Sequence, residues 1–233
     1  MTIIFYKSLK NTNDEAKKIN LLNKRNIAVY TNFQSKGRGR KQREWKSSAG
    51  DLTCSFLIKN VINVNDLGKI NLLIVNSVIN ILKYIGIKNI KYKWPNDIFI
   101  QDKKLAGILI ETTISRSTIN EIIIGIGINF VAKRIANSIP TISLSELNCR
   151  VDTLKVFFLI SFNINLFINS LKHIDYEVIS DNLTKNFFSK SKLLTINAAN
   201  SKYSGNFVKV NSFGELIIKE KNDVKVISYG EIL

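Results

Sequence analysis

Apolar residues recur at Ile70, Ile74, Val78, Ile81 and Ile85, a helical spacing that predicts a helix over 67–85 ended by Gly86. Similar spacing predicts helices over 153–171 and 176–188. Another opens at Asn11–Glu15, where Thr12 and Glu15 have capping-box spacing. Strands are predicted over 27–33, 51–59, 90–94 (stopped by Pro95), 98–100, 105–113 and 121–130, with a hairpin turn at 101–104. The polar, glycine-bearing stretch 34–50 reads as a long loop. From residue 193 the period shortens to four strands, 193–197, 206–210, 215–219 and 224–229, with turns at Gly205 and Ser212-Phe213-Gly214. That change predicts a boundary near residue 190. A mixed α/β domain, a sheet flanked by helices, would span 1–189, and a small β-barrel 190–233.

The chain has 233 residues, of which 45% are hydrophobic, enough for a substantial core and against general disorder. Its formal charge of +16 favours polyanionic partners, although charge spread evenly over a Lys-rich surface has the same sum. Cys54 and Cys149 are the only cysteines, too few for a disulfide framework, and a reducing cytoplasm is the expected compartment. One histidine, His173, excludes a His-based triad or a His-rich metal site. The N-terminus lacks the apolar core of a secretory signal, and the longest apolar runs, 72–75 and 156–160, are too short to span a bilayer.

Four segments carry candidate chemistry. Gly37-Arg38-Gly39-Arg40-Lys41-Gln42-Arg43 combines close backbone approach with permanently charged, forked donors suited to carboxylate or phosphate, and Trp45 follows within stacking range. Its simpler alternatives are a solvated basic loop or an RNA-contacting segment. Lys93-Trp94-Pro95-Asn96-Asp97 ends a strand with a lysine able to hold an anion. Lys104-Leu105-Ala106-Gly107-Ile108-Leu109-Ile110-Glu111 and Gly125-Ile126-Gly127-Ile128-Asn129 are glycine-interrupted strands, a platform for a flat ligand. They lack the G-x-G-x-x-G spacing of a dinucleotide fold.

In this order the four segments resemble the biotin protein ligase family, and Gly205, Asn211–Gly214 and Gly230-Glu231 resemble that family's small C-terminal barrel. The resemblance runs from about Asn11 onward. It implies a class II synthetase-like catalytic domain with an SH3-like barrel, and ATP-dependent activation of biotin to biotinyl-5′-AMP with Mg²⁺. A lysine of a biotin carboxyl carrier protein or domain, as in acetyl-CoA carboxylase, would then accept the biotin. By similarity Thr12, Asn13, Gln34, Gly37, Arg38, Lys93, Gly107, Ile108 and Leu109 contact biotin, though Thr12 is also explained as a helix cap. Arg40, Trp45, Asn96 and Asn129 serve the nucleotide, and Lys93, Arg38 and Arg40 are the catalytic cations. No metal-ligand cluster is implied, since Mg²⁺ would be held mainly by phosphates. This sequence departs from the family at Gln42, usually glycine, and at Thr53, often aromatic. Because the motifs begin by residue 11, no DNA-reading domain, no specific DNA binding and no membrane association are expected. A homodimer is left open. The rivals are a lipoate protein ligase and, in another class, a basic nucleic-acid-binding module.

Overall fold

The computed structural model describes residues 1–20, 25–115, 118–132, 139–189, 193–198 and 201–233. Among them are strands β1 (Thr2–Tyr6), β2 (Ile27–Thr31), β3 (Gly37–Arg38), β4 (Glu44–Trp45), β5 (Leu52–Asn63), β6 (Lys91–Lys93), β7 (Asp97–Ile100), β8 (Lys103–Ser115) and β9 (Thr118–Ile128). Helices α1 (Thr12–Asn20), α2 (Leu67–Tyr84), α3 (Thr153–Ser170) and α4 (Tyr176–Lys185) accompany them, and β10 (Leu193–Ala198), β11 (Ser201–Val210), β12 (Leu216–Glu220), β13 (Asp223–Ile227) and β14 (Glu231–Ile232) follow.

The main sheet has seven strands in the order β1-β2-β5-β9-β8-β7-β6. It is mixed, because β1 runs parallel to β2 while the other pairs are antiparallel. Alternation divides its side chains between two faces. Ala28, Tyr30, Phe56, Ile58, Ile122 and Ile124 join the large core with the apolar sides of α2 and α3. Ile27, Val29, Leu57 and Ile123 meet Ala16 of α1 in a second, smaller cluster on the opposite face. With only nine residues, α1 covers part of that face. The uncovered part carries Ser55, Gly125, Gly127 and Gly107, aligned by the register Ser55↔Gly125 and Gly107↔Gly127.

The C-terminal strands form a five-stranded sheet, β13-β12-β11-β10-β14. No pairing closes it into a barrel among the described residues. It shares the large core, stacking Phe207 on Phe187 at 3.7 Å and accepting a hydrogen bond from Trp94 Nε1 at the Gly214 carbonyl, 2.9 Å away. The expected boundary at 190 falls on residues outside those described.

Three expectations change. Asn11, not Thr12, caps α1: its side-chain oxygen accepts from the amides of Asn13 and Asp14, while Glu15 accepts from the Tyr6 hydroxyl. Gly205 is no turn. It lies inside β11 opposite Leu194, where a Cβ would stand 2.8 Å from the Lys219 carbonyl oxygen. The 34–50 loop contains the short β3–β4 hairpin, and β1 is an element that its short, unpunctuated sequence did not announce.

The turn before β12 packs closely on the first turn of α2, where Gly214 touches Gly68. A Cβ on Gly68 would collide with the Phe213 carbonyl, and one on Gly214 (φ +81°) with Gly68. Gly68→Ala is therefore expected to destabilise the protein by about 1–3 kcal/mol through overpacking. Chemical denaturation should show a lower midpoint, and no loss would mean that this approach is not limiting.

Candidate functional site

The uncovered sheet face, the 34–46 segment and the end of β14 enclose a cavity of about 580 Å³. Its lining includes Thr12, Asn13, Gln34, Arg38, Arg40, Trp45, Lys93, Asn96, Gly107, Ile108, Leu109 and Asn129. Of the residues expected to contact biotin or nucleotide, only Gly37 stands outside the lining. It supports the wall, where a Cβ would meet the Gln34 amide nitrogen and the Trp45 carbonyl, each at 2.5 Å.

One end of the cavity is polar and buried. Gln34 Oε1 accepts from the Thr12 amide (2.7 Å) and hydroxyl (3.1 Å). Ser55 Oγ lies within hydrogen-bond reach of both Thr12 Oγ1 and Asn13 Oδ1. All four side chains belong to residues no more than 8% exposed. Such groups are costly to bury unless they are satisfied; Thr12, Asn13 and Gln34 line the cavity, and Ser55, 0% exposed, supports them from β5. Gly125 makes the room, since a Cβ there would stand 2.5 Å from Asn13 Oδ1.

The floor beyond is bare backbone. Gly107 and Gly127 face each other, and the indole of Trp45 rests on them; a Cβ on Gly127 would fall 2.5 Å from its ring carbons. The platform inferred from the glycines exists, with a tryptophan on part of it.

Cations surround this floor. Lys104, which the sequence reading left without a role, pairs with Asp97 at 2.7 Å and lies 5.5 Å from the centre of the Trp45 ring. Its place in a strand-end motif with Gly107 was the available signal. The Lys93 ammonium lies over the rings of Phe99 and Phe188, at 5.7 and 5.6 Å. Arg40 stacks on Tyr229 at 5.0 Å.

Arg38 is already engaged. Its guanidinium grips Asp14 through two bonds of 2.8 and 2.7 Å and Glu111 through two of 3.1 Å. Both contacts keep its charge on, raising its pKa further. Glu111 also accepts from Asn13 (3.0 Å) and pairs with Lys17 (3.1 Å). Asp14, Ser55 and Glu111 were missed because each is ordinary in sequence and joins the others only across the fold.

Asn96 works on the wall: its amide donates to the Ile108 carbonyl, and its own carbonyl accepts from the Ile108 amide at 3.0 Å. The Asn129 amide donates to the carbonyls of Lys104 and Ile142. Asn129 Oδ1 and Asp97 Oδ1 are buried without a hydrogen-bond partner among the described residues. Two uncommitted oxygens in one cavity fit a hard divalent cation that takes its other ligands from phosphate and water. The described residues contain no cluster of three or more His, Cys, Asp or Glu that could hold a metal unaided. Thr53, at a position of departure, donates to the Thr31 carbonyl.

With this geometry in view, the match to a family model gains meaning. Residues 4–129 match the biotin/lipoate A/B protein ligase family, and the chain belongs to that family. It is 34% identical over 131 residues to the bifunctional ligase/repressor BirA of Escherichia coli, covering 54% of this chain and 40% of that protein. The biotin–protein ligase of Homo sapiens is 32% identical over 130 residues, covering 52% and 17%. The chain thus spans less than half the length of these curated relatives. The biotin protein ligase from Aquifex aeolicus in complex with biotin and ATP superposes with a TM-score of 0.83 at 26% identity, covering 100% of this chain and 97% of that one. A Leishmania major biotin protein ligase shares the fold, with a TM-score of 0.68 at 19% identity over 98% and 99% of the two chains.

The Glu111 junction generates a pH prediction. Burial raises the carboxyl pKa, but bonds from Arg38, Asn13 and Lys17 outweigh it, and the net value is lowered. The stabilisation is therefore present above the unfolded pKa of about 4.3 and is lost as pH falls through the lower folded value. Glu111→Gln should cost about 1–2 kcal/mol at neutral pH, allowing for partial exposure, and should flatten the acid limb of stability. Thermal melts at pH 7 and 3.5 measure both, and parallel acid limbs would contradict the assignment.

Proposed function

We propose that this chain is an ATP-dependent biotin protein ligase. The observation that carries the reading is one cavity with a buried hydrogen-bonding end and a cation-rich end, joined by a floor of bare strand backbone. The ureido group of biotin has both donors and acceptors for Thr12, Asn13 and Gln34. A lipoyl ring has neither and would gain no hydrogen bonds from that end, so the cavity favours biotin. The +16 charge gives the nucleic-acid reading no further support, because the densest basic segment, 38–43, folds against the cavity.

A biotin carboxylate oxygen attacks the α-phosphorus of ATP. The bond to the β-phosphate bridging oxygen breaks, and pyrophosphate leaves. The acceptor lysine, as free amine, then attacks the acyl carbon, forming the amide and releasing AMP and a proton. The first step brings anions together, and Lys104, Lys93 and Arg40 offset that repulsion. Lys104 is assigned the principal role, because it stands beside the Gly107 floor while the Lys93 ammonium rests on two rings. Arg38 acts through Glu111 and Asp14, holding the loop against α1. Mg²⁺, bound mainly by phosphates with Asp97 and Asn129 oxygens, would supply further charge neutralisation. The acceptor is proposed to be a biotin carboxyl carrier domain. No helix among the described residues is long and apolar enough to cross a membrane.

Incubation with biotin, MgATP and a purified carrier domain should add the mass of one biotin, and lipoate should not substitute. Lys104→Ala should slow pyrophosphate release by about 10²–10³-fold, the usual effect of losing a charge aimed at the transition state. Lys93→Ala should have a smaller effect on the same assay, and the reverse order would move the principal role to Lys93.

Arg40→Gly should still form the adenylate but release it early. Charge-assisted bonds are worth roughly 1.5–3 kcal/mol, so escape should quicken by about one to two powers of ten. Bystander albumin would then become biotinylated, as a streptavidin blot would detect. Labelling confined to the carrier domain would refute retention by Arg40.

A further inference from the structure

Three loop cations converge on the C-terminal sheet. Both Nη atoms of Arg43 bond the Glu231 carboxylate, one at 2.8 Å, and Lys41 Nζ approaches the same group at 3.4 Å. Arg40 lies over Tyr229, two residues earlier. The loop turn between them places two consecutive non-glycine residues in left-handed backbone, Lys41 at φ 53° and Gln42 at φ 59°. That conformation disfavours L residues and persists where the surroundings impose it. Two bonds close the turn, from the Gly39 amide to the Arg43 carbonyl (2.7 Å) and from the Arg43 amide to the Arg40 carbonyl (3.2 Å).

The receiving side is anchored differently. Ile232 is 6% exposed and pairs with Ile196, and the Leu233 amide donates to the Thr195 carbonyl. Glu231 and Ile232 line the cavity with the loop that they face. A strained turn is thus tied to a rigid strand by ion pairs whose cationic partners are 57% and 38% exposed. Exposed pairs are weak and screened by salt, which makes such a tie reversible.

We propose that Glu231 and Tyr229 are positioning residues. They latch the 39–43 turn over the cavity, hold Arg40 in place, and set how long an occupant stays. The dwell-time part rests on the ligase reading above, whereas the latch itself does not.

The test exploits the two tryptophans. Trp45 sits at the base of the loop, and Trp94, 2% exposed, stays shielded from a neutral quencher. In the 233-residue chain without ligand, acrylamide quenching of the Trp45 signal (assigned by difference from Trp45→Phe) should rise about two- to threefold in Glu231→Gln. Wild type should reach the same value at about 0.5 M NaCl, where screening lengths approach contact distances, and the variant should be salt-insensitive. Charge exchange, Arg43→Glu with Glu231→Arg, should restore most of the shielding that either single change removes. A merely structural lesion would not be rescued. Preloaded biotinyl-5′-AMP should leave Glu231→Gln and Tyr229→Leu about three- to tenfold faster than wild type. Unchanged quenching in Glu231→Gln, or exchange without rescue, overturns the latch. A responsive latch in a wild-type protein that makes no adenylate would overturn the ligase reading alone.

Discussion

A sheet face normally repels close approach by anything but other side chains, because every second residue projects from it. Along β8 and β9 that projection is missing at Gly107, Gly125 and Gly127. The rest of the site depends on this strip. Asn13 reaches the sheet only because Gly125 has no side chain, and the Trp45 indole lies flat only because Gly107 and Gly127 have none. Flat and polar groups can therefore sit at van der Waals distance from backbone that is already hydrogen-bonded and needs nothing from them.

Charge is arranged in layers around the strip. Carboxylates of Glu111 and Asp14 pair with Arg38 at the cavity wall, and Glu231 pairs with Arg43 and Lys41 at the rim. Lys104 and Lys93 remain at the floor, the first tempered by Asp97 and the second by aromatic faces. An anionic ligand would thus meet cations whose own repulsion has been reduced beforehand, which keeps the empty cavity from being driven open by its charge.

Elements with a long, regular period were legible in the sequence. The helix over 67–85 and the isoleucine-rich strand near 121–130 appear within a few residues of their expected places. The motif glycines and cations, far apart in sequence, come together around one cavity. The parts that failed depend on distance in space. The cap of α1 went to Asn11 because Gln34 and Ser55 claim the Thr12 hydroxyl, and neither is near it in sequence. Gly205 looked like a turn because only the closeness of the Lys219 backbone explains a glycine inside β11. Lys104 drew no role from the sequence because its Asp97 pairing and Trp45 stack are tertiary contacts.

The bond between Arg43 and Glu231 spans 188 residues of chain. Ribosomes add about 5–20 residues per second, so roughly 10–40 s of synthesis separates the two partners. Throughout that interval Arg43 and Lys41 lack the carboxylate they pair with in the folded chain. By then the strip of β8 and β9 has already been made, so the binding surface precedes its cover. Birth order thus separates the loop cations from the carboxylate that pairs with them by the greater part of the synthesis of this chain.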